Sequence, residues 1–377
     1  MKRAVICLLL LSAGIMFGGC GIVPEPEQST ESLNLYSGRD KRQLYQAIYN
    51  AAKDFQTSVT VSGDPDQTVL SEVCNQIGSD YPELFWFGGW SASNFNGSVT
   101  EITLHVPMQS EQHRYRYMYQ QLMDTTETIR KEIPADASDY EKALYVHDYL
   151  TAHTAYNAEA EQGSNAYGCL VSHAAFCEGY SRAFLLLMNQ LGVPAGNVSG
   201  TADGYGHMWN YIQLSGEYYW VDVTWDDTRI EGADTEQCNH YYCFINDDLM
   251  LQTHTIGSGQ LFIPACTSME MNYFVQNGFY LESGDFDAVR PVIEKQLQAQ
   301  KAPIELMFDS KASYDAALHA LFDENGLWTL ENLPPDVTGC AYSSCETPAV
   351  LRIDLTSDGD AGSAEISQTE AAVGETS

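Results

Sequence analysis

Basic residues are scarce in this sequence. Its 377 residues include 18 Lys and Arg against 51 Asp and Glu, a formal charge of −33. A phosphate backbone is bound through a cationic footprint, so this balance excludes nucleic acid and an anionic lipid surface as partners of the protein part. What remains is a soluble surface held apart by self-repulsion. Long apolar runs are lacking beyond the first residues, so nothing further along is expected to cross a bilayer as a helix. No internal repeat occurs, and the acidic residues form no EF-hand-like calcium loop. Apolar residues, by contrast, make up 44% and aromatics 11%, enough for a globular core. The length fits two domains, or one domain with large additions.

The one long apolar run is N-terminal. Lys2 and Arg3 precede "AVICLLLLSAGIMF" (4–17), which is too short to span about 30 Å of hydrocarbon. "GGC" (18–20) follows, with small residues and a cysteine where cleavage is expected. This resembles a bacterial lipoprotein signal, which implies lipidation of Cys20 and anchoring at the outer face of the cell membrane. Phe17 stands where that pattern has Leu, so ordinary secretion is the alternative. "GIVPEPEQSTES" (21–32) reads as a tether. The acidic, small-residue stretch 356–377 cannot bury enough apolar surface to order itself.

Of the ten cysteines, the resemblance implies that Cys7 leaves with the signal and Cys20 receives the lipid. Export permits disulfides among the other eight, and Cys340 with Cys345 is a candidate small loop closure. If one of the eight is a working thiol, at least one more stays unpaired.

Along the chain, "DPDQTVLSEVCNQIGSDYPELFWFGGW" predicts a helix, a turn and an aromatic strand ending at Gly88-Gly89. "SVTEITLHVPM" alternates as a strand, and a helix is expected from about 109 to 131. Ser138 and Glu141 have capping-box spacing before "YEKALYVHDYLTAH", in which His147 reads as a packed or hydrogen-bonded residue. "RPVIEKQLQAQ" predicts helix, "IELMFD" strand, and "SYDAALHALFDENG" a helix stopped by Gly326.

The chemistry concentrates between 165 and 248. After Cys177, the residues Tyr180, Ala183, Phe184, Leu187, Met188 and Leu191 recur at helical spacing until Gly192 and Pro194. Cys177 therefore opens an amphipathic helix, where free N–H groups and the dipole favour a thiolate and an amide can serve an oxyanion. "GHMWNYIQLSGEYYWVDVTW" (206–225) predicts strands 206–214 and 217–225 around a Ser215-Gly216 turn. That register sets Leu214 opposite Glu217, Trp209 opposite Asp222 and His207 opposite Thr224. His207 and Asp222 become same-face diagonal neighbours about 7 Å apart at the backbone. An aspartate there can fix the imidazole tautomer while the other ring nitrogen reaches a thiol. Taken singly, each residue has a bland reading: a structural cysteine, a packed histidine, an aspartate capping a turn. Together they are the equipment for attack on an amide or ester carbonyl.

"CEGYSRAF", "GHMWN" and "WVDVTWDD" resemble, in order and spacing, the three motifs of the transglutaminase-like superfamily. "NAYGCLVSHAAF", "VHDYLTAHTAYN" and "HYYCFINDDLMLQTH" resemble flanks of bacterial members. The resemblance covers about 138–255. It implies an α+β fold with a papain-like core, in which a helix bearing the cysteine packs on an antiparallel sheet. It further implies Cys177 as nucleophile, His207 as base and acid, and Asp222 as orienting carboxylate. Trp209 is expected to line the site, with Tyr167 and Ser172 as candidates for substrate or oxyanion contacts.

The expected organisation is then signal peptide 1–19, tether 20–32, N-terminal α+β region 33–135, transglutaminase-like core 136–256, C-terminal α/β region 257–355 and tail 356–377. The implied activity is acyl transfer at amide groups of a surface protein or peptide through a thioester, to an amine or to water. A peptidase or amidase of cell-wall peptides and a non-catalytic surface binding module are the alternatives. No cofactor is expected. A zinc reading of Cys169, His173 and Cys177 with "CNHYYC" (238–243) is disfavoured, because neither a tight Cys-x-x-Cys nor a matching His pair occurs. The sequence does not specify an oligomeric state.

Overall fold

The computed structural model describes residues 39–60, 67–95, 98–227, 238–260, 262–301, 303–346, 348–357 and 368–370. The expected signal peptide, Cys20, the tether and most of the acidic tail lie outside the described residues. Among those described, no helix is long and apolar enough to cross a membrane.

The N-terminal part contains α1 (Arg39–Lys53), β1 (Ser58–Thr60), α2 (Gln67–Asp80), β2 (Trp90–Phe95) and β3 (Ser98–Leu104), with a sheet ordered β1-β3-β2. Ile48, Leu70, Val73, Ile77 and Ile102 form its core. The aromatic strand expected before Gly88 is not formed. Residues 81–87 make two successive turns, Leu84 N–H to Tyr81 O and Phe87 N–H to Leu84 O. Packing overrides the local β preference here: Trp86 stacks on Phe55 at 4.7 Å and its indole N–H reaches Ala52 O.

The middle part begins with α3 (Gln112–Glu132) and α4 (Asp139–His153). Ser138 and Glu141 form the expected reciprocal cap. Then follow β4 (Ala155–Tyr156), α5 (Ala166–Leu170), β5 (Ala174–Ala175), α6 (Cys177–Leu191), β6 (Ala195–Ala202), β7 (Tyr205–Leu214), β8 (Glu217–Val221), α7 (Val223–Asp226), β9 (Cys243–Ile245), α8 (Asp247–Met250) and β10 (His254–Ile256). Strands β10-β6-β7-β8-β9 form an antiparallel sheet. Helix α6 packs on it, burying Tyr180, Ala183, Phe184, Leu187 and Met188 completely. Burial of a large apolar side chain contributes about 1.5–3 kcal/mol. The helix stops at Gly192, whose left-handed backbone (φ 71) lets its N–H cap the last turn. The result is an α+β fold with the cysteine-bearing helix on an antiparallel sheet, as the sequence implied.

The C-terminal part holds α9 (Tyr273–Asn277), β11 (Tyr280–Leu281), α10 (Phe286–Gln298), β12 (Ile304–Phe308), α11 (Lys311–Leu318), β13 (Val337–Glu346), β14 (Ala349–Ser357) and β15 (Gln368–Glu370). Its sheet is ordered β11-β12-β14-β13-β15. Three residues of the segment expected to lack order thus pair, in parallel, with Tyr342–Ser344. Helix α11 ends short of Gly326, widening into a π turn over His319–Asp323 before left-handed Asn325 (φ 58). Cys340 and Cys345 sit on one strand, so a span of roughly 16 Å separates them and no disulfide can close.

Candidate active site

Helix α6 begins where a short parallel pairing delivers it: Ala155–Tyr156 lie beside Ala174–Ala175, and Phe176 N–H donates to Gly163 O at 3.1 Å. Phe176 is the extended cap residue and Cys177 the first helical residue. The approach is tight. A Cβ on Gly179 would lie 2.3 Å from Gly163 O and 2.8 Å from Ala175 Cβ, which explains the glycine of "CEGY".

Strand β7 is stitched to α6 on both sides of Trp209. The Ser181 hydroxyl donates to Met208 O at 2.8 Å. The Asn210 amide donates to Ser181 O at 3.0 Å and to Asn197 Oδ1 at 2.7 Å. These bonds set the height of the helix start against His207, so the serine of "CEGYS" and the asparagine of "GHMWN" act on the geometry of the thiol and the imidazole.

The hairpin turn forms as expected, with Ser215 and Gly216 both at positive φ and Leu214 paired with Glu217. The second strand is shorter than expected. It ends at Val221, and Asp222 caps α7, accepting from Thr224 N–H at 3.0 Å and Trp225 N–H at 3.2 Å through Oδ1. His207 therefore does not face Thr224 across a ladder. Asp222 uses one oxygen as the cap and turns the other to His207. Oδ2 lies 2.6 Å from His207 Nε2.

With Nε2 held there, Nδ1 is the ring nitrogen left for Cys177, which lies near enough to raise the imidazole. Burial disfavours charge on His207, but the Asp222 carboxylate and then Cys177 outweigh it and push the imidazole up to about 10. Burial likewise opposes the Asp222 charge, yet His207 and His254 hold its carboxyl well below the usual range. The trio is thus poised as an imidazolium between a carboxylate and a sulfur.

His254 is a residue that sequence reasoning missed. It opens β10 and places Nε2 3.0 Å from the same Asp222 oxygen. Its Nδ1 is 2.8 Å from the Thr253 hydroxyl. It lies within the flank "HYYCFINDDLMLQTH", but no spacing marks it, because β10 joins β6 on the far side of the sheet from β8. Tyr156 was also missed: it is near enough to Cys177 that, after burial, the sulfur's charge raises its phenol.

Trp209 is close to the site, but beneath it. Fully buried, its ring lies nearly parallel to His207 at 6.0 Å and edge-on to His254 at 4.9 Å. Trp225 flanks both imidazoles, at 5.9 and 4.5 Å. Tyr167, expected at the substrate, instead donates to Gln121 Oε1 at 2.9 Å and packs on Phe85. Ser172 is exposed in the turn after α5. A cleft of about 520 Å³ runs between the N-terminal part and the sheet, past Asp80, Phe85, Arg182, Asn197, Met208 and Tyr211. Neither Cys177 nor His207 lines it, although Met208, next to His207, does.

Fold and site together define an α+β protein with a thiol–imidazole–carboxylate array on a helix and an adjoining sheet. Residues 127–225 match the core model of the transglutaminase-like superfamily, so this part of the chain carries a transglutaminase-like domain. The match spans Cys177, His207 and Asp222 and ends before His254. Among solved structures, the chain is similar to a TGase at 17% identity and a TM-score of 0.25, covering 47% of this chain and 52% of that one. It is also similar to a candidate cysteine protease from Cytophaga hutchinsonii at 15% identity and a TM-score of 0.25, covering 36% and 61%. The chain thus spans only about half to three fifths of the length of those proteins. No curated protein matches it.

Proposed function

We propose that the protein is a transglutaminase-like thiol enzyme performing acyl transfer at amide groups of protein or peptide substrates. The observation that carries this is the array itself: Cys177 at the start of α6 beside His207, and His207 Nε2 at 2.6 Å from Asp222 Oδ2. Cys177 Sγ attacks the amide carbonyl carbon, the thiol proton resting on His207. The tetrahedral oxyanion meets the amides at the start of α6, whose first N–H groups have no partner within the helix. His207 then protonates the leaving amine, the C–N bond breaks, and a thioester remains. An incoming amine or water attacks the thioester, giving its proton to His207, and the thiol is regenerated. Asp222, held by two backbone amides and two imidazoles, keeps the ring oriented and its charge favourable throughout.

The N-terminal segment supports a lipid-anchored protein outside the cytoplasm, so the proposed substrates are surface proteins or wall peptides. Incubating the chain with glutamine-containing peptides and a primary amine, beside Cys177→Ala, tests the chemistry by mass spectrometry. An amine adduct, a deamidation or a backbone cleavage that depends on Cys177 supports the reading and chooses the acceptor. Identical product masses with both proteins across a broad peptide set favour the binding-module alternative. Palmitate labelling that disappears in Cys20→Ser checks the anchor, and an unprocessed cytoplasmic chain overturns it.

A further inference from the structure

A second cluster of chemically capable side chains lies away from Cys177. His147 and Asp148 project from α4, and Cys238 and His240 come from the segment leading into β9. One donor atom of each lies within 4.8 Å of the others. Both imidazoles are fixed from behind by a buried carboxylate: His147 Nε2 is 3.0 Å from Asp226 Oδ2, and His240 Nδ1 is 2.8 Å from Glu305 Oε2. The remaining ring nitrogens, His147 Nδ1 and His240 Nε2, therefore face Asp148 Oδ1, at 3.0 and 3.2 Å.

Two inward ring nitrogens, a carboxylate oxygen and a sulfur are four electron-pair donors around one point. They repel one another unless positive charge sits among them, as extra protons on the rings or as a metal ion. We infer that His147, Asp148, Cys238 and His240 form a four-coordinate site for a divalent transition metal, zinc by its donor set. Thiolate and imidazole select zinc over magnesium or calcium. A tetrahedron of zinc ligands has edges of about 3.3–3.7 Å given its bond lengths, and the oxygen–nitrogen separations already approach this. Cys238 Sγ, 4.0 Å from Asp148 Oδ1, closes the fourth corner.

The surroundings are those of a built site. A carboxylate behind each histidine fixes which nitrogen carries the proton, which is the usual outer support of a metal-bound imidazole. His240 is stacked on Tyr273 at 3.7 Å, and the Thr151 hydroxyl lies 2.9 Å from Cys238 Sγ. Arg352 grips the same segment through Cys238 O at 2.8 Å and Asn239 Oδ1 at 3.1 Å. His147 is wholly buried while the Asp148 side chain is 48% exposed, which gives an ion its way in. The site joins three pieces of chain, α4, the 238–240 segment and, through Glu305, β12. Through Asp226 it also reaches the short helix that Asp222 caps. Four protein donors leave no open position, so its role is structural.

Metal analysis of the untagged full chain, dialysed against metal-free buffer, tests this first. About one zinc per chain is expected, and less than about a tenth would overturn the site. Cobalt(II) loading is then read by its sulfur-to-metal charge-transfer band. The band should persist in Cys177→Ala, whose thiol adjoins the other His/Asp group, and vanish in Cys238→Ser. Loss in Cys177→Ala with retention in Cys238→Ser would overturn the assignment. Because Cys238→Ser could fail to fold, the natural chain is also alkylated with and without chelator. Cys238 should label at least tenfold faster after chelation, and equal labelling overturns the proposal.

Discussion

His254 and His207 share one oxygen of Asp222, at 3.0 and 2.6 Å, so the carboxylate that holds the His207 imidazole is itself held by a second one. His254→Ala removes a charge-assisted bond from a buried carboxylate, which costs about 1.5–3 kcal/mol. Urea denaturation should show that loss. His254→Gln, which can still donate through its amide, should recover part of it, and turnover should follow the same order.

Cys177→Ala should reduce amide turnover to background while leaving the fold intact, because Cys177 is only half-buried at the helix start. His207→Gln removes the proton carrier and should lower kcat by about 10²–10⁴. Asp222→Asn should cost more stability than either, since it replaces an anion that accepts from two backbone amides and two imidazoles. Steady-state kinetics with circular dichroism on the same samples separates the effects.

The pH dependence follows from the raised imidazole. A group whose folded pKa exceeds its unfolded value of about 6.5 contributes stability that is complete below that value and is lost as pH rises through the folded one. His207, pushed up to about 10, should therefore lose its contribution between about pH 6.5 and 10, and kcat/KM should fall on an alkaline limb near 10. Removing Cys177 deletes one of the causes, so the His207 ring in Cys177→Ala should titrate lower. Imidazole chemical shifts would check this. An unchanged value would mean that Asp222 alone sets it.

Gly179→Ala should be disproportionately harmful for one methyl group. With Gly163 O only 2.3 Å from the new carbon, the start of α6 must shift, at a cost of about 1–3 kcal/mol. Thermal unfolding should register the loss. Alkylation of Cys177 should change in rate, because the thiol moves relative to His207.

Local signals in the sequence were sufficient for α6, the capping box at Ser138 and the Ser215-Gly216 hairpin. Each rests on a pattern within a few residues: helical spacing closed by a glycine, reciprocal cap side chains, and a turn that needs positive φ. The cysteine, histidine and aspartate were legible for the same reason, since helix start and strand alternation place them by short-range rules. The aromatic run of 81–89 has β preference, but its rings find their partners on Phe55 just after α1 and on Tyr115 and Tyr119 of α3, so it forms turns instead. Asp222 was read in the right place but in the wrong element, because a strand and a capped turn look alike until the partner strand ends.

Short-range sequence patterns thus placed the cysteine, the histidine and the aspartate on their local scaffolds. Packing across the fold sets His254 behind Asp222, puts Trp209 under His207 and Tyr167 against Gln121, and brings His147, Asp148, Cys238 and His240 together. Those contacts join residues tens of positions apart, and their distances depend on how sheets and helices pack. A pattern of 3.6 or 2 residues carries no information about such meetings. They are fixed only when the core closes and each buried polar group must find a partner.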